Sequence, residues 1–119
     1  MKVFSFENLE AWKEARKLNL VIYRLTRQFP SDEKFGLVSQ LRRASVSVSS
    51  NISEGNSRFS PNDKARFFEI SYGSLMEVLN QLILSLDLGY ISEEDFIAVR
   101  KDIEKTASMI NGLRNHFKK

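Results

Sequence analysis

The sequence predicts an all-α protein, an antiparallel up-and-down four-helix bundle built from 119 residues. Apolar residues recur at helical spacing in three long segments, which keeps one face of each toward partner helices. Strand-like alternation is absent from all three. The chain holds only 5 Gly and 2 Pro, too few for the turn signals that a β-sandwich needs about every 8–12 residues.

The first helix is expected over residues 8–28. Its stripe is Ala11, Ala15, Leu18, Ile22, Leu25 and Phe29, spaced 4,3,4,3,4. Pro30 ends it, because proline lacks an N–H and pushes its predecessor out of helix. The second helix, expected over 36–54, carries Leu37, Leu41, Ala44, Val48 and Ile52 among many serines: Ser39, Ser45, Ser47, Ser49, Ser50 and Ser53. Serine is a poor helix former because its hydroxyl competes for backbone groups. With Val46 and Val48, the stretch Ser45–Ser50 resembles a strand. A lone strand among helices would have no sheet to join, so helix is the expectation. The small side chains either admit a close neighbouring helix or form a functional polar surface. Gly55 is expected to end this helix in a left-handed conformation.

Ser60-Pro61-Asn62-Asp63 opens the third helix, expected over 61–88, with Ser60 as N-cap, Pro61 in the first turn and Asp63 near the positive helix end. Its stripe runs Phe68, Tyr72, Leu75, Leu79, Leu82 and Leu86. Nine of the fourteen residues in 75–88 are apolar, more than one face can hold. Either this helix is the most central one or a second subunit covers it. Ser92 caps a fourth helix, expected over 93–117, with the stripe Phe96, Val99, Ile103, Thr106, Ile110, Leu113 and Phe117.

Composition excludes much chemistry. With no cysteine, there is no disulfide scaffold, thiolate metal site or cysteine nucleophile. The only histidine is His116, and Leu113 stands three residues before it, so the Glu-x-x-His pairs of di-metal carboxylate bundles are missing. There is no Gly-x-Ser-x-Gly elbow and no glycine-rich phosphate loop. No catalytic residue, metal or cofactor is therefore expected. Asn51-Ile52-Ser53 matches a glycosylation sequon, but the chain shows no secretion signal. The N-terminal residues lack an apolar run, and no stretch approaches a membrane-spanning length of about 20 residues. The expected location is the cytoplasm, with no membrane partner.

Charge leaves one positive lead. The net charge is +3 and the isoelectric point about 9.3, which permits a nucleic-acid partner without demanding one. Residues 1–30 carry six Lys and Arg against three acids, whereas residues 61–91 carry two against four. Lys13, Lys17 and Arg24 repeat on one face of the first helix, and Arg16 and Arg27 widen that strip. Such a strip can hold phosphates, and an ordinary solvated helix face has the same pattern. Glu54 and Glu77 are candidate buried carboxylates, with Arg42 and Arg43 as natural partners, because an acid in an apolar neighbourhood is costly unless paired.

The motifs resemble the four-helix-bundle family of 23S rRNA intervening-sequence proteins. The chain reads Gln40-Leu41-Arg42-Arg43-Ala44, then Ser47-Val48, then Asn51-Ile52-Ser53-Glu54-Gly55 and Arg58. Phe6, Leu9, Trp12, Ala15, Phe29-Pro30 and Phe35-Gly36-Leu37 also look like the family, as do Gly73-Ser74-Leu75, Glu77 and Leu88-Gly89-Tyr90-Ile91. Ser53 stands where alanine is usual, Ser49 where proline is frequent, Asn56 where an aromatic often follows, and Leu79 where a second acid often stands. The last departure puts any paired-acid site in doubt. The resemblance implies a bundle often assembled as a homopentamer. A similar protein, the accessory variability protein of diversity-generating retroelements, implies a basic pentameric barrel serving nucleic acid.

Three functions are weighed. The first is a non-enzymatic homo-oligomer holding RNA or DNA backbone through Lys13, Arg16, Lys17, Arg24 and Arg27. The alternative is a protein–protein adaptor or scaffold whose partner covers Arg42, Arg43 and the serine face, with Gln40, Asn51, Glu54, Arg58 and Glu77 as motif or interface residues. The third, a small hydrolase or nuclease using Glu54 or Glu77, needs a metal for which the sequence has no recognisable ligand cluster.

Overall fold

The computed structural model describes residues 1–118. Four helices follow in order, α1 (Glu10–Thr26), α2 (Leu37–Ser57), α3 (Pro61–Asp87) and α4 (Glu93–Phe117). Short 3-10 turns at Ser5–Asn8 and Ser31–Glu33 precede α1 and α2. The described residues contain no strand. Each helix packs on its chain neighbour, and α4 returns to α1. That closed ring, with short connections, is the up-and-down bundle. The 27 residues of α3, at about 1.5 Å each, account for most of the 43 Å long axis.

Antiparallel packing gives the bundle two ends. The Trp12 end gathers the starts of α1 and α3 with the ends of α2 and α4. The Tyr23 end gathers the opposite termini. Between them runs a shared core including Leu18, Ile22, Leu41, Val48, Ile52, Phe68, Leu75, Leu82, Val99, Ile103 and Ile110. The whole first-helix stripe, from Ala11 to Phe29, is buried. Each large side chain contributes about 1.5–3 kcal/mol of burial, offset by ordering entropy.

The expected start signals operate. Ser60 Oγ accepts from the Asp63 N–H at 3.1 Å, and Ser92 Oγ accepts from the Asp95 N–H at 3.0 Å. Pro61 occupies the first turn of α3. Gly89, with φ of 77°, adopts the left-handed conformation that ends α3.

Gly55 departs from expectation. It lies inside α2, which continues to Ser57, and it is buried. Its role is close approach: a Cβ there would sit 2.9 Å from Phe67 Cβ and 2.9 Å from the Phe68 ring. The strand-like stretch Ser45–Ser50 is helical. Its hydroxyls are absorbed locally, Ser45 donating to the Arg42 carbonyl and Ser49 to the Val46 carbonyl. Across the α2–α3 seam, Ser71 donates to the Val48 carbonyl at 2.8 Å. Ser47 and Ser74 share a 2.8 Å hydrogen bond.

The breadth of the apolar surface on α3 has two parts. One part packs against α2 and α4. The remainder, including Ile70, Ile83 and Leu84, is exposed, as is Leu88 just past the helix end.

Candidate nucleic-acid interface

The two acids expected to be buried are not. Glu54 and Glu77 are both exposed. The inward arc of α3 runs through Leu75, Val78 and Leu82, and at 100° per residue Glu77 falls outside it. Among the described residues Glu54 has one cation at ion-pair distance, Arg58 just past the end of α2, at 3.9 Å. Neither acid pairs with Arg42 or Arg43 among the described residues.

The buried acid is Glu14, on α1. Its Oε1 lies 3.1 Å from Lys105 Nζ of α4 and 3.4 Å from Lys17 Nζ. Burial alone would push this carboxyl up. The Lys105 hydrogen bond and the charges of Lys105 and Lys17 outweigh that effect and hold it below the ordinary carboxylate range. Glu14 sits between the stripe positions Ala11 and Ala15, so a carboxylate at the edge of the stripe was its only sequence signal.

Arg42 serves the fold instead of an acid. Its Nε donates to Thr26 Oγ1 at 3.0 Å, its Nη2 to the Tyr23 carbonyl at 3.5 Å, and its guanidinium lies 4.5 Å from the Tyr23 ring centre. Asn51 is internal wiring, its Nδ2 donating to the Ser47 carbonyl at 2.9 Å and to Ser47 Oγ at 3.0 Å. Arg58 lies over Phe67, 4.5 Å from the ring centre.

Three motif residues do come together. Gln40, Arg43 and Glu77 line an open polar groove of about 450 Å³ along the α2–α3 seam, with Ser47, Ser74 and Gln81. Sequence reading missed Gln81, which is 7% exposed. Its Nε2 donates to Gln40 Oε1 at 3.4 Å, and its Oε1 has no hydrogen-bond partner among the described residues. The available signal was an amide inside the apolar stretch Leu79–Leu84.

The five basic residues of α1 and the turn after it form two sets. Lys13 pairs with Glu10 at 3.4 Å, Lys17 pairs with Glu14, and Arg16 lies over Trp12 at 5.4 Å. Arg24 and Arg27, at the Tyr23 end, are exposed and have no carboxylate at ion-pair distance among the described residues. Lys34 and Arg43 share that condition. A second open groove of about 500 Å³ lies here, lined by Tyr23, Lys34, Phe35, Arg42, Arg43 and neighbouring apolar residues. Phe35 is 87% exposed and Tyr23 37%. Tyr23 lies off the buried stripe of α1, which was the sequence sign of its outward position.

Below this groove the end is fixed by Tyr90, whose Oη donates to Glu33 Oε2 at 2.9 Å. That hydrogen bond raises the Tyr90 hydroxyl above its ordinary range, with burial and the charges of Glu33 and Asp32 adding to it. Among the described residues no group of three or more His, Cys, Asp or Glu side chains stands where it could hold a metal ion. His116 is exposed beside Phe117. No described helix is long and apolar enough to cross a membrane.

Comparison with known proteins adds three findings. The chain is similar in fold to a crystal structure from Bacteroides thetaiotaomicron, a protein with unknown function from the S23 ribosomal protein family. The TM-score is 0.78 at 18% identity, covering 87% of this chain and 97% of that one. No protein of curated description matches. The profile of the 23S rRNA-intervening sequence proteins matches residues 7–112, nearly all of the bundle, and the chain belongs to that family.

Proposed function

We propose that this chain is a non-enzymatic, self-associating protein of the cytoplasm that holds the backbone of RNA or DNA. The observation that carries this reading is a set of unpaired cations at the Tyr23 end, of which Lys34 and Arg43 share one groove. Arg24, Arg27, Lys34 and Arg43 are exposed there without a carboxylate partner. Cations already paired with protein acids must break those pairs to meet a phosphate. Unpaired ones need only displace solvent, and the counterions released from the nucleic acid supply affinity. Such contacts position a backbone and do not read sequence. Lys13 and Lys17 contribute less in this reading than the expected strip implied.

Self-association draws on the outer face of α3. Ile70 and Leu84 of α3 and Leu88 just past its end are exposed on one side of the helix, and Leu84 stands one turn from Gln81 and its unsatisfied Oε1. A second copy seated on this face would cover apolar surface and could satisfy that oxygen. Five copies, as the family resemblance implies, would multiply a weak phosphate contact by avidity.

Electrophoretic shift with structured RNA and duplex DNA at about 50 mM salt tests the binding part. A complex that dissociates as salt rises is expected, and absence of any salt-sensitive complex overturns the reading. Light scattering tests the assembly part. A mass several times the 13.8 kDa chain is expected, and a monomer at micromolar concentration contradicts it.

A further inference from the structure

We infer that the groove at the Tyr23 end takes unstacked bases of a single-stranded nucleic acid, with Tyr23 and Phe35 as stacking surfaces. This inference rests on the nucleic-acid reading above and names the form of polymer that the site selects.

The groove combines two features that a polyanion with open π-faces satisfies together. The first is charge. Lys34, Arg42 and Arg43 line it, and no acid does. The second is the presentation of the two rings. Phe35 leaves 87% of its surface to solvent at the entrance to α2, and Tyr23 leaves 37% on α1. Val38 and Val46 add apolar lining to the groove.

The Tyr23 ring is held as well as exposed, and the backbone that carries Phe35 is fixed. Arg42 lies 4.5 Å from the Tyr23 ring centre. It is fixed by its bonds to Thr26 and the Tyr23 carbonyl, so one side of the ring is backed by a cation. Lys34 Nζ stands 5.4 Å from the Phe35 ring centre. The backbone at Phe35 belongs to a turn in which the Gly36 N–H donates to the Glu33 carbonyl at 3.0 Å, and Glu33 is in turn tied to Tyr90. A ring backed by a cation and open on its other side is the arrangement on which bases stack, with the cations tracking the backbone.

A duplex cannot use the rings, because its bases are already stacked on each other. It would meet only the cations. A two-fold contact with a second copy is disfavoured, since it would set Lys34, Arg42 and Arg43 against the same three charges; a ring contact, which would seat a different surface here, is distinguished by the assembly mass of Phe35→Ala. A single strand supplies both phosphate and base faces.

The test compares an oligouridylate of about 20 nucleotides with a duplex of the same length by fluorescence anisotropy, using the wild-type chain, Phe35→Ala, Phe35→Trp and Arg24→Glu/Arg27→Glu. Phe35 is outside the core, and a thermal melt verifies that each variant folds. The wild type is expected to prefer the single strand. Phe35→Ala should weaken single-strand binding about tenfold, the effect of losing one stacked base, and leave duplex binding unchanged. Phe35→Trp should restore or exceed the wild-type affinity. Arg24→Glu/Arg27→Glu should weaken both polymers. Equal binding of the two polymers with no effect of Phe35→Ala overturns the stacking inference and leaves the backbone reading standing. No binding of either polymer defeats both. A change of assembly mass in Phe35→Ala makes the groove a contact between copies and overturns the inference.

Discussion

At the Trp12 end of the bundle, charge and packing are spent on the fold. Glu14 is held by Lys105 and Lys17, Glu69 Oε1 meets Arg114 Nε at 3.0 Å, and Lys13 and Arg58 each have an acid at ion-pair distance. Aromatic rings interlock there, Phe6 edge-on to Trp12 at 5.0 Å and Phe68 against Phe117 at 6.0 Å. The Tyr23 end is built from the same residue types with the opposite outcome. Arg24, Arg27, Lys34 and Arg43 have no carboxylate at ion-pair distance there among the described residues, although Asp32, Glu33, Glu93 and Glu94 belong to the same end, and Tyr23 and Phe35 face solvent. The two ends teach that a basic stripe read along α1 is not one functional unit. The acids of its first turns pair with Lys13 and Lys17, while Arg24 and Arg27 have no carboxylate at ion-pair distance among the described residues and Arg16 rests on Trp12.

The largest effect that separates the ends is expected from Arg24→Glu/Arg27→Glu. Two charge reversals at the open end should weaken nucleic-acid binding roughly 100-fold at low salt, while the thermal midpoint moves little. An anisotropy titration beside a melt checks both halves of that statement.

Next comes Gly55→Ala, at the closed end. The added methyl meets Phe67 and Phe68 at 2.9 Å, so overpacking of about 1–3 kcal/mol outweighs a helix-propensity gain of about 0.5–1 kcal/mol. Denaturant unfolding should show a lower midpoint, with nucleic-acid affinity per folded molecule unchanged.

Glu14→Gln sharpens the contrast through pH. The folded carboxyl is held below its ordinary value of about 4.5. Its ion pairs therefore add stability that is fully present above that value and is lost as pH falls through the lower folded one. The variant should be less stable than the parent at neutral pH, and the difference should shrink as pH falls through this range. Melting curves across the acid range read it directly.

The smallest effect belongs to Lys13→Ala/Lys17→Ala. Both lysines are already paired with acids, so affinity should fall by less than about threefold, in keeping with the modest worth of exposed charges. A loss as large as that of the Arg24/Arg27 double variant would erase the distinction between the ends.

The fold was legible because each helix repeats its apolar signal over several turns. The stripe from Ala11 to Phe29 and the caps Ser60 and Ser92 needed no tertiary information. Gly55 was misread because a glycine near a helix end is compatible with either a left-handed cap or a close approach. Only the position of Phe67 and Phe68 distinguishes the two. Glu77 was misread because an apolar neighbourhood in sequence is not one in space: on α3 the next turn inward is buried while Glu77 faces out. The candidate site was half legible. The basic residues of α1 were visible as a strip, but their division into paired and unpaired sets depends on which acids fall within reach. The groove at the Tyr23 end joins α1 to residues more than ten positions away, and no spacing rule connects Tyr23 with Phe35.

The measurement closest to the central claim is the salt dependence of binding, log K against log salt, for the wild type and for Arg24→Glu/Arg27→Glu. On duplex DNA each phosphate held contributes about −0.9 to the slope. The open end predicts a clearly negative wild-type slope that becomes shallower by about 2 in the double variant. A flat wild-type slope, or an unchanged slope in the variant, would contradict the assignment of phosphate binding to this end of the bundle.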